Sequence, residues 1–169
     1  DIRYPKSGAI ITIMTAYPSM PLAAIMPLPD HVIWIDSDGS INQLSHNEAG
    51  NRLDHEPVLF CHRRWTMSKL KHNQDSLSGL DLLELYAFVH PARFAVPTAG
   101  GLATALGLSS HNDAEDQTIL MPVIADTLLE HIASWPDKQQ QIACQMARLM
   151  ASGGWGWEPM VLHACGEDM

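Results

Sequence analysis

The chain has 169 residues and a mass of 18.6 kDa, enough for one domain with a real hydrophobic core and too few for two full domains. With 46% hydrophobic and 17% charged residues, the composition excludes a disordered chain. Nineteen Asp and Glu against ten Lys and Arg give a net charge of -9, which excludes a protein that coats nucleic acid over its whole surface and leaves room for a local basic patch.

The most apolar stretch runs from Ala9 to Leu28, but Pro18, Pro21 and Pro27 interrupt it. A spanning helix needs about 20 consecutive apolar residues, so this reads as buried strand and extended connection. Asp1 followed by only Arg3 and Lys6 makes a poor signal-peptide start, and an Asp in first place points to a piece of a longer protein. His31 to Ile35, then Asp36-Ser37-Asp38-Gly39, then Ser40 to Leu44 predict a hairpin: β-branched and aromatic residues for the strands, Asp, Ser and Gly for the turn. Ser45 to His55 suits a short polar helix and Pro57 to Cys61 a brief buried strand.

Helical signals dominate from there. Ser78, three residues before Asp81, has the spacing of a capping box, and Leu80, Leu83, Leu85 or Tyr86, and Val89 follow with helical period until Pro91. Thr98 is placed to cap a helix from Ala99 to Leu106, with Gly107 as its left-handed terminator. Asn112 or Asp113 opens a further helix reaching about Ala133, kinked or restarted at Pro122, and Asp137 caps another from Lys138 to Ala151. The turn Gly153-Gly154-Trp155-Gly156-Trp157 suits indoles packed on the core better than indoles stacked on bases. The resulting division is a Pro-rich apolar segment (1–29), an α/β domain (30–152) and a Gly/Trp-containing C-terminal segment (153–169). The fold class is α/β, with a small mixed or antiparallel sheet from the N-terminal half and helices from the C-terminal half forming three layers or a reduced version of them.

Cys61, Cys144 and Cys165 are odd in number and form no Cys-x-x-Cys pair, which fits a reducing, cytoplasmic setting and suggests neither a disulfide framework nor a thiolate zinc site. The nine histidines are scattered, without a His-Glu-x-x-His motif.

Leu77 to Thr98 (LSGLDLLELYAFVHPARFAVPT), continuing through Gly101 to Leu108 (GLATALGL), resembles the N-terminal region of bacterial DinG-type ATP-dependent DNA helicases. The likeness extends more weakly from Pro29 to the Trp155-Gly156-Trp157 segment. It implies a domain that precedes a helicase motor, with ATP and Mg serving that motor and single-stranded or forked DNA as partner. At lower specificity the same order of elements resembles the DnaQ-like exonuclease domain found ahead of such motors, which implies a ribonuclease-H-like fold. Two Mg or Mn ions would there be held by carboxylates on a first strand, after a middle strand and on a late helix, with a His as general base.

Matched residue by residue, that resemblance is incomplete. Asp36 and Asp38 fall where an Asp-x-Glu pair belongs, although hairpin chemistry alone accounts for Asp38-Gly39. His62 is kept, but Arg63 stands where Asn belongs and Met67 where a metal-binding Asp belongs. His111 and Asp116 keep the spacing of the last motif, though acidic residues in a first helical turn are favoured by the helix dipole. If the domain were an active exonuclease, Asp36, Asp38, His111 and Asp116 would act, with Asp81 or Glu84 replacing the missing Asp. With that Asp gone, a degenerate, non-catalytic domain is the stronger reading. The chain has no Gly-x-x-x-x-Gly-Lys-Ser/Thr loop for ATP and no four-cysteine set for an iron–sulfur cluster.

Arg63, Arg64, Lys69 and Lys71 gather four of the ten basic side chains, with Trp65 between them to stack on a base. These five residues are the nucleic-acid-binding candidates. A solvated basic helix face is the competing reading, and a protein-interaction module without nucleic-acid contact is the third class.

Overall fold

The computed structural model describes residues 22–71, 79–110 and 112–167. Five strands form one mixed sheet: β1 (Ala23–Pro27), β2 (Val32–Ile35), β3 (Ile41–Leu44), β4 (Val58–Phe60) and β5 (Gly79–Asp81). Their order across the sheet is β3-β2-β1-β4-β5. The first three make an antiparallel meander, with Ile25 opposite Trp34 and Ile33 opposite Gln43. β4 then joins β1 in parallel and β5 joins β4 in parallel, aligning Ala24, Leu59 and Leu80 across the sheet. Of the mixed or antiparallel sheet expected, the mixed form is found, built from the N-terminal half.

The hairpin forms as its residues predict. Gly39 adopts φ +86°, and the Gly39 N–H donates to Asp36 O at 2.9 Å. β2 is buried along its whole length, whereas β3, at the sheet edge, alternates between exposed and half-buried residues. β1 is the central strand, although it lies in the stretch read as a Pro-rich segment before the domain. It takes that place by burying Ala23, Ala24 and Ile25 on both faces.

Alternation along the strands sends side chains to two cores. On one face Ile25, Trp34, Val58 and Phe60 pack against Ala49 and Leu53 of α1 (His46–Leu53) and Met67 and Leu70 of α2 (Arg63–Leu70). On the other, Ala24, Leu59 and Leu80 meet α3 (Leu82–Val89), α4 (Ala99–Ala105), α5 (Ala114–Ala133), α6 (Asp137–Ala151) and α7 (Glu158–Ala164). The sheet is thus covered on both faces by helices.

Local chemistry sets most helix ends. Ser45 and Glu48 close a capping box on α1, Thr98 caps α4 with Gly107 following at φ +74°, and the Asp113 carboxylate accepts from Glu115 N and Asp116 N to open α5. α6 begins at Asp137, with Pro136 rather than Asp137 in the cap position.

One helix starts later than its spacing predicts. Residues 79–81 form an edge strand, Asp81 is the N-cap of α3, and Ser78 lies outside the described residues. The reason is close approach: a Cβ on Gly79 would sit 2.5 Å from the Phe60 ring and 2.7 Å from Val58 O, so glycine lets the backbone lie against β4.

α7 follows the Gly/Trp turn and packs on α5 and α6. Trp157 is buried and its Nε1–H donates to Asp81 O at 2.8 Å; Trp155 is buried against Phe88, and its Nε1 has no partner among the described residues. The packing reading of these indoles holds. Trp157→Phe removes the indole bond to a buried carbonyl and is expected to lower stability by roughly 1–3 kcal/mol, whereas Trp155→Phe, which removes a donor without a described partner, is expected to cost less; urea unfolding of both variants measures the difference.

On α5, burial and then the charge of Glu130 raise Asp126 from 3.8 to about 6. The stabilising effect of its protonated form is complete below the unfolded value and is lost as pH rises through about 6. Asp126→Asn is therefore expected to raise the melting temperature at pH values above that midpoint, with the gain fading in acid, as thermal melts across the two conditions will show.

Candidate nucleic-acid interface

The candidate surface is built where β4 and β5 end side by side. The chain leaves β4 through Cys61 and His62 into α2, and leaves β5 directly into α3, so both helices begin at the same edge of the sheet. The buried Asp81 carboxylate serves both starts: it accepts from Arg63 N of α2 at 2.7 Å and from Leu83 N of α3 at 2.8 Å. Burial raises its pKa, and these backbone donors oppose the rise. Burial and then the Asp81 charge raise Glu84 one turn on, and the same two causes push the Cys61 thiol up to about 12, leaving it protonated and a poor nucleophile at neutral pH.

Between the two helices lies a cleft of about 600 Å³ lined by His62, Arg63, Arg64, Asp81, Leu83 and Glu84. α2 turns Thr66, Met67 and Leu70 into the core and leaves Arg64, Trp65, Ser68 and Lys69 outward, with Lys71 ending the helix at φ 51°. Trp65 is 46% exposed, and the Lys69 ammonium sits 5.5 Å from its ring centroid. The five binding candidates therefore share one helix and its cap, with Lys69 set against an accessible indole.

Met67, at the position where the exonuclease pattern calls for a metal-binding Asp, is fully buried and packs in the core between α2 and the sheet. A carboxylate at that place would be desolvated among apolar side chains.

Asp36, Asp38 and Asp116 sit elsewhere, the first two in structural roles. Asp36 lies at the end of β2, not on the first strand, and its carboxylate accepts from Trp34 Nε1 at 3.0 Å, Asn42 Nδ2 at 2.6 Å and Arg52 Nη2 at 2.6 Å. The Arg52 guanidinium in turn stacks 4.4 Å from the Trp34 ring centroid. Asp38 is exposed and accepts from Ser40 N at 2.9 Å; the Ser40 side chain and then this backbone bond hold its pKa low, as befits a turn residue. Asp116 is in the first turn of α5, where its N–H donates to Asp113, and His111 lies outside the described residues. The first strand carries Ala23-Ala24-Ile25-Met26-Pro27, without a carboxylate. Among the described residues no three of His, Cys, Asp and Glu gather in a group that could hold a metal ion, so Asp36, Asp38 and Asp116 do not form one.

Beside the cleft, and sharing Glu84 and Ala87 with it, runs an apolar groove of about 620 Å³ lined by Phe88, Trp135, Met146 and Trp155. Sequence reasoning did not find either concavity. The basic run and Trp65 were legible as residue types, but the cleft needs the pairing of β4 with β5, which brings residues 62–64 against 81–84.

No protein-family model, no curated protein and no solved structure matches the chain. Among the described residues no helix is long and apolar enough to cross a membrane.

Asp36→Asn is expected to lower stability by roughly 1–3 kcal/mol, because it weakens charge-assisted bonds to a half-buried arginine and two neighbouring side chains. Its nucleic-acid affinity is expected to match the parent's; unfolding and binding titrations on the same sample check both halves.

Proposed function

We propose that this chain is a non-catalytic, nuclease-like accessory domain of an ATP-dependent DNA helicase, holding single-stranded or forked DNA on α2 while the motor acts. The observation that carries the reading is the exposed part of α2: Arg64, Lys69 and Lys71 together with a half-exposed Trp65, in a chain whose net charge is -9. Phosphates answer to the cations and a base answers to the indole, with local charge outweighing the overall balance.

The architecture is compatible with a degenerate ribonuclease-H-like domain. What supports the reading is a mixed sheet in which β4 joins β1 and β5 joins β4 in parallel beside an antiparallel meander, with helices on both faces. Two-metal hydrolysis draws no support from the geometry, because the first strand carries no carboxylate and a core methionine stands in for the central one. Fold alone does not give function, so the helicase context rests on the resemblance of residues 77–108 and the DNA contact on α2.

Fluorescence-anisotropy titration of a single-stranded oligonucleotide against salt concentration tests the contact. Arg64→Ala with Lys69→Ala is expected to weaken binding and to flatten the slope of log K against log salt by about 0.7 for each phosphate that is no longer neutralised. Trp65→Ala is expected to cost roughly 1–3 kcal/mol of affinity with little change in slope. Unchanged binding in these variants contradicts the proposal and favours a protein-interaction module.

A further inference from the structure

His90, which closes α3, and His131, in the last turn of α5, lie on two packed helices and meet across them: His131 Nδ1 is 3.3 Å from His90 Nε2, and the rings cross at 73°. The Tyr86 ring, one turn back on α3, sits 5.2 Å from the His90 ring and fixes its place. An N–H donor typically lies about 2.9–3.0 Å from its acceptor, so this contact is long for a hydrogen bond. It is the right length for something else: two nitrogens bound at about 2.0–2.1 Å to one tetrahedral zinc ion stand roughly 3.3 Å apart.

The surroundings suit a cation. Both rings belong to helix C-terminal ends, where carbonyl groups leave partial negative charge. Burial, then the His131 ring, then Arg93 lower the pKa of His90, which favours the neutral form that ligates metals. Both rings are only part-buried, which leaves room for solvent ligands. Arg93 is the group that opposes a bound cation.

We propose that His90 and His131 form a two-imidazole site for a borderline divalent transition-metal ion, zinc in the first instance, clamping the C-terminal ends of α3 and α5 together. His90 ligates through Nε2 and His131 through Nδ1, with their protons on the opposite ring nitrogens, and water completes the coordination shell.

The experiment is a titration of the metal-stripped chain with ZnCl₂, followed by calorimetry, thermal unfolding and imidazole NMR. One ion per chain is expected at this site, with a rise in melting temperature that grows with zinc concentration, and ring-proton shifts at His90 and His131. His90→Asn and His131→Gln are each expected to weaken that binding about tenfold or more, as removal of one of two ligands implies, and Arg93→Gln to tighten it. Zinc binding that both histidine variants leave intact, or that shifts other histidines and spares these two, overturns the proposal, as does an absence of binding. The NMR readout on the unmodified chain decides the matter even if a variant fails to fold.

Discussion

One buried carboxylate ties this structure together. Asp81 ends β5, opens α3, and reaches across to the first amide of α2, so a single side chain satisfies backbone donors at the starts of two helices on opposite faces of the sheet. Its own backbone carbonyl accepts the indole N–H of Trp157, which fastens the turn before α7 to the same point. A buried charge is costly unless its bonds are made, and here the donors are backbone N–H groups whose positions are fixed by the elements they begin. The sheet edge, both helix starts and the C-terminal turn therefore depend on one another. Change any of them and the cleft between α2 and α3 loses its shape.

That dependence also explains the chemistry available at the cleft. With its oxygens engaged by amides, Asp81 is a structural anion rather than a metal ligand in waiting. Its charge raises Glu84 and Cys61 alongside the larger effect of burial, so the floor of the cleft resists further negative charge while Arg63 and Arg64 line its wall. Asp36 is committed in the same way, to Trp34, Asn42 and Arg52. The carboxylates that a nuclease would spend on metals are spent here on holding the fold. What is left facing solvent on α2 is Arg64, Trp65, Ser68 and Lys69, with Lys69 against the indole.

How much of this was legible in the residues follows the range of the forces involved. The hairpin at Asp36 to Ser40, the cap at Thr98, the cap at Asp113 (one of the two positions read for it) and the terminator Gly107 are written in side chains that act within a few residues, and each forms as read. β1 was hidden because Pro-interrupted apolar residues look like connection until β2 and β4 pair on either side of them. Ser78 and Asp81 have a cap-like spacing, yet the contact of Gly79 with Phe60, a residue nineteen positions away, makes a strand there and moves the cap to Asp81. α7 went unseen behind a turn whose two indoles drew attention to themselves. The basic run was visible in sequence, but its cleft was not, because a cleft is a relation between two strands.

The central claim is that nucleic acid meets this domain on α2 and not at a carboxylate site. Hydrogen–deuterium exchange of the chain with and without a single-stranded oligonucleotide measures this directly. The account expects slower exchange confined to peptides spanning His62 to Lys71. Protection centred on Asp36, Asp38 and Asp116 instead, or no protection anywhere, would contradict it.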